Sequence, residues 1–124
     1  MWIALDNCDS QNGGLTYLNA SHRVGILAHE SSFAPGSSQT IKNSAELMNN
    51  YNIVTPKLSP GDALIHDAHV VHFSEANVSG KSRRGMTFQY QSKSSTVDHE
   101  QLNIYEESLR KQLKDRNKDE PESL

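Results

Sequence analysis

The sequence predicts a mainly β domain, a sandwich or barrel of short strands, followed by a C-terminal amphipathic helix. Three observations predict it. Short apolar runs recur between turn signals such as Asn12-Gly13 and Ser59-Pro60-Gly61-Asp62. Met86, Phe88 and Tyr90 alternate with Thr87, Gln89 and Gln91, the period of a half-buried strand. Leu102, Tyr105, Leu109 and Leu113 recur at the spacing of one helix face.

In chain order, Trp2-Ile3-Ala4-Leu5 reads as a buried strand and residues 9–14 as a turn cluster, with Asn12-Gly13 a tight-turn dipeptide. Leu15 to Leu18 is the next strand. Residues 19–39 read as a long loop with Pro35, Gly36 and several serines. Residues 44–51 predict a short helix and Ile53 to Leu58 a strand. A turn with proline and glycine then leads into residues 63–72, which read as one long strand or two short ones. Residues 74–82 are a polar loop and Gly85 to Gln91 the half-buried strand. Ser95-x-x-Asp98 resembles a capping box ahead of a helix over residues 98–115, expected to pack on the sheet. The expected layout is a β body at 1–92, a helix at 93–116 and a disordered acidic tail at 117–124.

Composition narrows the function classes. At 124 residues the chain holds one small domain. Its net charge of -3 leaves no electrostatic footprint for nucleic acid. A hydrophobic content of 35% and a mean hydropathy of -0.68 are low for a two-layer core, so either the loops are long or part of the core lies elsewhere. The single cysteine, Cys8, excludes an internal disulfide framework and a multi-cysteine zinc site. There is no apolar run of about 18 residues and no basic leader before Trp2, so the expectation is an intracellular, cytoplasmic protein without a membrane partner.

The chemistry-bearing residues crowd the stretch from Leu58 to Tyr90. His66, His69 and His72 invite a metal-site reading. On a straight strand His66 and His72 face the same way but lie roughly 20 Å apart, and His69 faces the opposite side. That geometry leaves one ligand from the trio, with His66 and His69 as strand residues with local hydrogen bonds. Arg83 and Arg84 open the next strand, and alternation turns one of them inward. An inward arginine needs an anionic partner, and its planar fork suits a carboxylate. The competing reading is that both arginines are surface charges. Asn77 sits where its side chain can fix the loop.

The residues GDALIHDAHVVHFSEANVSGKSRRGMTFQY, 61–90, resemble the C-terminal signature of the phytanoyl-CoA dioxygenase family. Upstream, Trp2 to Asp6, then Asn12-Gly13-Gly14-Leu15, then Ser21-His22-Arg23-x-Gly25 resemble the family's strand, Asn-Gly turn and "PGSHK-x-G" loop. These are non-haem Fe(II), 2-oxoglutarate-dependent oxygenases. The resemblance therefore implies part of a double-stranded β-helix, a cupin-like jelly roll, with Fe(II) and 2-oxoglutarate as cofactors and a small-molecule or acyl substrate. It implies His72 as an iron ligand of the facial triad and Arg83 as the group that binds the C5 carboxylate of 2-oxoglutarate. It further implies Ser74 assisting at that carboxylate, Trp2 lining the pocket, and Asn77 as loop structure or support around the ligand. Arg84 is expected on the surface, and His22 and His29 in a loop with structural roles.

The sequence departs from the family pattern in two places. The family's His-x-Asp/Glu pair stands upstream of the segment that begins at Trp2, and no His-x-Asp or His-x-Glu occurs in these 124 residues. The Pro-Gly of the loop is Asn19-Ala20 here. Three explanations are open: a fragment of a longer enzyme, a degenerate non-catalytic relative that binds small carboxylates, or a site completed by another chain. A cupin-like metal protein would need a His-x-His pair, which is absent. Sheet edges left by missing strands would favour self-association.

Overall fold

The computed structural model describes residues 1–32 and 39–119. It has eight short strands: β1 (Trp2–Ala4), β2 (Leu15–Leu18), β3 (His29–Ser31), β4 (Gln39–Ile41), β5 (Ile53–Val54), β6 (Ala63–Leu64), β7 (His72–Ser74) and β8 (Gly85–Thr87). A 3-10 turn spans Ser21–Val24, and the α-helices are α1 (Ser44–Met48) and α2 (His99–Asp119). The strands form three antiparallel sheets, in the orders β6-β1-β8, β5-β2-β7 and β3-β4. This is the mainly β body with a C-terminal helix that the alternation and turn signals predict.

The chain divides into two compact units, Met1–Ile26 with Ala45–Tyr90, and Leu27–Ser44 with Gln91–Leu124. The first holds both three-stranded sheets. β1 is central in one and pairs Trp2 with Leu64 and Thr87, and Ala4 with Gly85. β2 is central in the other and pairs Leu15 with Ser74 and Tyr17 with both His72 and Val54. Trp2, Ala4 and Cys8 form the buried cluster, and Leu15, Leu58 and Leu64 pack against it. Because Leu15 lies on β2, the side of the second sheet that carries Leu15 is turned to the cluster. Thr16 and Leu18 point to the opposite side by alternation and are also buried.

Turn chemistry closes this unit. Asn12 accepts from the Asp9 amide and donates to the Asn7 carbonyl, at 2.9 and 2.6 Å. Gly13 has φ +77°, and a Cβ on Gly14 would lie 2.5 Å from the Asp9 carbonyl oxygen, so the Gly-Gly pair is demanded by the turn. Ala20 stands in the left-handed region at φ 66°, a conformation that glycine adopts at least cost.

The second unit is the β3-β4 hairpin, with α2 against β3 and a Ser31–Ser108 hydroxyl bond of 2.8 Å. Asp98 caps α2: its carboxylate accepts from the amides of Glu100 and Gln101, both at 3.1 Å.

Several expectations are corrected. Asp98 itself is the cap, so the box beginning at Ser95 is not formed. The helix runs to Asp119, past the expected end, and the rest of the acidic tail lies outside the described residues. The stretch expected to be loop contains the 3-10 turn, β3 and the first residue of β4, while its Pro35 and Gly36 fall outside the described residues. The strand expected over 53–58 shrinks to two residues plus an isolated bridge between Cys8 and Leu58. Met86, Phe88 and Tyr90 alternate as predicted but are exposed, because neither face of β8 beyond Gly85 is covered.

Candidate functional site

Register and alternation determine which side chains share a space. On the first sheet, Trp2, Ala4, Leu64, Gly85 and Thr87 fall on one face through their pairings. Arg83, two residues before Gly85, follows that alternation. Its guanidinium carbon lies 5.9 Å from the Trp2 ring centroid, within cation–π range. Gly85 makes the arrangement feasible, since any Cβ there would fall inside the Trp2 indole. Arg83 is half-buried and makes no ion pair among the described residues.

Arg84 faces the other way. It closes a two-pronged bond on Asp6, Nε to Oδ2 at 3.0 Å and Nη2 to Oδ1 at 2.8 Å. The Arg84 amide and the Ser82 hydroxyl also donate to Asp6. These bonds, the Arg84 side chain first, hold the Asp6 carboxyl well below the usual carboxylate range, and Asp6 in turn raises Arg84. The two adjacent arginines thus divide as expected, one turned towards Trp2 and one at the surface. Asp6 as the partner of Arg84 went unread in the sequence.

On the second sheet, His72 pairs directly with Tyr17, and Ser74 with Leu15, so all four side chains lie on the side turned to the buried cluster. His72 and Ser74 remain exposed there. His72 Nδ1–H donates to the Val70 carbonyl at 2.9 Å, which leaves Nε2 as the free nitrogen. The Val71 amide donates to the fully buried Ser21 hydroxyl at 2.8 Å, and Leu18 N–H donates to Val71 O at 3.0 Å. The strand entering His72 is therefore held from the 3-10 turn and from β2. Asn77 binds its own loop: it donates to the Lys81 carbonyl at 2.7 Å and accepts from the Ser79 hydroxyl at 2.9 Å.

The straight-strand geometry expected for the three histidines does not occur. The chain turns between β6 and β7, where Val70 N–H donates to Asp67 O and the Asp67 carboxylate accepts from the His69 amide. The turn brings His66 back to His72, with ring centroids 4.8 Å apart and planes at 76°. Tyr17 completes the cluster, 5.3 Å from His66 and 5.9 Å from His72. Two of the three histidines therefore converge. His69 stays outside, bonded through Nδ1 to Asp67 at 2.7 Å, and the His69 amide first and its ring second hold the Asp67 carboxyl below its ordinary value.

The electrostatics act on His66 and Tyr17. Burial, then the neighbouring His72 and the Met1 ammonium, push His66 down, while the Asp67 carbonyl acts in the opposite sense. Burial also pushes the Tyr17 phenol up. Tyr17 Oη and His66 Nδ1 are enclosed and meet no hydrogen-bond partner within bonding distance and angle among the described residues. A separate open cavity of about 660 Å³ lies elsewhere in this unit, with Asp6, Cys8, Asn12, Lys57 and Lys81 in its lining, and it includes none of Trp2, Tyr17, His66, His72 or Arg83.

An iron triad of two histidines and a carboxylate does not fit these residues by themselves. Among the described residues no three His, Cys, Asp or Glu side chains converge to hold a metal ion. No described helix is long and apolar enough to cross a membrane.

Fold and site together define a mainly β body with a histidine-bearing strand end in one three-stranded sheet and a tryptophan-backed arginine at the other. The sequence matches the phytanoyl-CoA dioxygenase (PhyH) family over residues 1–85. It is 33% identical over 102 residues to phytanoyl-CoA dioxygenase domain-containing protein 1 of Bos taurus, covering 78% of this chain and 34% of that protein. The protein of the same name from Rattus norvegicus gives 33% over 101 residues, with the same coverage. The chain belongs to the phytanoyl-CoA dioxygenase family, and it spans about a third of the length of the curated relatives it matches. No solved structure matches it significantly.

Proposed function

We propose that these 124 residues are the downstream part of an Fe(II)/2-oxoglutarate-dependent dioxygenase domain of the phytanoyl-CoA dioxygenase type, a partial double-stranded β-helix. His72 is one iron ligand. The other two come from sequence outside this segment, and the segment by itself does not turn over. The carrying observation is the placement of Arg83: half-buried, backed by the Trp2 indole, and without an acidic partner among the described residues. A guanidinium in that setting is an open fork for a carboxylate. In this reading Arg83 takes the C5 carboxylate of 2-oxoglutarate and Ser74 adds a hydroxyl bond. Trp2 walls the pocket, and Asn77 fixes the loop that follows His72.

The same observation supports a second reading, a non-catalytic module that binds small carboxylates, because Arg83 needs no metal to do so. Two measurements on the 124-residue chain separate the parts. With Fe(II), 2-oxoglutarate and oxygen, the expected succinate yield is nil, and succinate formation overturns the statement that the ligand set is incomplete. Trp2 is the single tryptophan, so its fluorescence reports on the pocket. 2-Oxoglutarate is expected to quench it, with the quench lost in Arg83→Ala and kept in Arg84→Ala. Quenching that survives Arg83→Ala sinks the carboxylate role. Succinate formation by a longer chain that carries an upstream His-x-Asp then favours the enzyme over the binding module.

A further inference from the structure

We propose that the open cavity of about 660 Å³ beside the Asn12 turn binds a small phosphate-bearing molecule, with Lys57 and Lys81 as its charged donors. Both lysines line the cavity, and neither makes an ion pair among the described residues. The side-chain amides of Asn7 and Gln11, in the same lining, meet no hydrogen-bond partner among the described residues. The two acids of the lining are already engaged. Asp6 takes the Arg84 fork and the Ser82 hydroxyl, and Asp9 accepts from the Gln11 backbone amide at 2.8 Å. Arg84 meets the Asp6 charge from outside the lining, so two ammonium groups stand against one carboxylate without a cationic partner, that of Asp9. This local surplus occurs in a chain whose net charge is -3.

The second observation is that three separate segments are tied together around this space, and none of the ties uses a lysine ammonium. Cys8 and Leu58 exchange backbone bonds of 2.9 and 2.8 Å, which fixes the chain next to Lys57. The Asn77 side chain donates to the Lys81 carbonyl at 2.7 Å, and the Val78 amide donates to the Gln11 carbonyl at 3.2 Å. Asn12, buried, holds the third wall through Asn7 and Asp9. The backbone of the site is thus built before a ligand arrives, and the cost of binding falls mainly on the lysine side chains. The donor set selects the ligand. A planar carboxylate suits an arginine fork, and no arginine lines this cavity, whereas ammonium point charges with amide donors suit a tetrahedral phosphate. The volume lies in the range of small-molecule sites and exceeds what one phosphate group fills, so the rest of the ligand is a small polar body. Neither Trp2 nor Arg83 is in the lining, so this anion site is separate from the arginine fork.

The test is a calorimetric titration of the untagged 124-residue chain at low salt with pyrophosphate, glycerol 2-phosphate, inorganic phosphate and citrate in turn, paired with backbone amide resonances. One equivalent of pyrophosphate is expected, with citrate at least tenfold weaker. Glycerol 2-phosphate binding above inorganic phosphate supports an organic ester as the ligand, and the reverse order overturns the polar body while leaving the phosphate pair. Lys57→Ala and Lys81→Ala should each weaken pyrophosphate several-fold and the double variant at least tenfold, while Lys42→Ala, a lysine outside the lining, leaves it unchanged. In the parent chain pyrophosphate is expected to shift the amide signals of Gln11, Lys57 and Lys81 together, a readout that depends on no variant folding. Absence of binding overturns the proposal, as does binding that survives the double variant. Equal losses in Lys42→Ala would reduce the effect to overall charge, and loss in Arg83→Ala would move the anion to the arginine fork; either result sinks the lysine site. Citrate binding as tightly as pyrophosphate overturns the phosphate class.

Discussion

The two units of the chain differ in what they bury. Residues 1–26 with 45–90 enclose Trp2, Ala4, Cys8, Leu18 and Val71. In the hairpin-and-helix unit the buried side chains among the described residues are Ser32 and Gln112, both polar. Of the four α2 residues spaced as one helix face, Leu102 and Leu113 are 39% and 50% exposed and Tyr105 and Leu109 are only half-buried. The family match over residues 1–85 takes in nearly all of the unit with the apolar core. Heptad-like spacing thus marks a face able to pack, whereas burial depends on a partner surface. α2 has its Asp98 cap and a serine–serine bond to β3, modest stabilisers beside a buried leucine.

The largest expected effect is at Leu18, which is fully enclosed. Leu18→Ala should cost about 2–5 kcal/mol in thermal or denaturant unfolding. A loss no larger than that of an α2 variant would break the contrast between the units. Gly85→Ala should cost about 1–3 kcal/mol and shift the tryptophan emission, because the new methyl must displace the Trp2 indole. An unchanged emission spectrum would show that the strand, and not the ring, gives way. Ala20→Gly should stabilise by about 0.5–1 kcal/mol, removing the penalty of a left-handed alanine against the extra entropy of an unfolded glycine.

Asp6→Asn sharpens the picture through pH. The Asp6 carboxyl is held down in the folded state, so its contribution is complete above the ordinary carboxylate value and is lost as pH falls through the depressed folded value. The parent should lose stability between those limits and Asp6→Asn should show a flatter acid limb. Identical acid limbs would mean that this exposed pair carries nothing, as surface pairs often do. The smallest effect is at half-exposed Leu113, where Leu113→Ala should stay within about 0.5 kcal/mol.

The legible parts of the fold were those written in local chemistry. Leu15 to Leu18 emerges as β2 because apolar alternation is bounded by an Asn-Gly turn on one side and a polar stretch on the other. The β3-β4 hairpin escaped notice because His29-Glu30-Ser31 and Gln39-Thr40-Ile41 have no apolar face to alternate. At the site, period two said only that one of Arg83 and Arg84 turns inward, and which one rested on the family resemblance. The His66–His72 approach was not legible, because it depends on a turn closed by the Asp67 side chain within an apolar run that also suits a continuous strand. Asp67-x-His69 was the available signal, since an aspartate commonly caps an amide two residues on. Tyr17 could be found only through register, as it faces His72 from 55 positions earlier in the chain.

The Ser21 hydroxyl that receives the Val71 amide is fully buried, and it joins residues 50 apart in sequence. Closing so long a loop brings its reward only after both segments are in place. The imidazole next to Val71 therefore takes its place only where residues 50 apart in sequence have met, and the approach of His66 to His72 reports on that closure. A serine with no access to solvent thereby anchors the strand that presents His72.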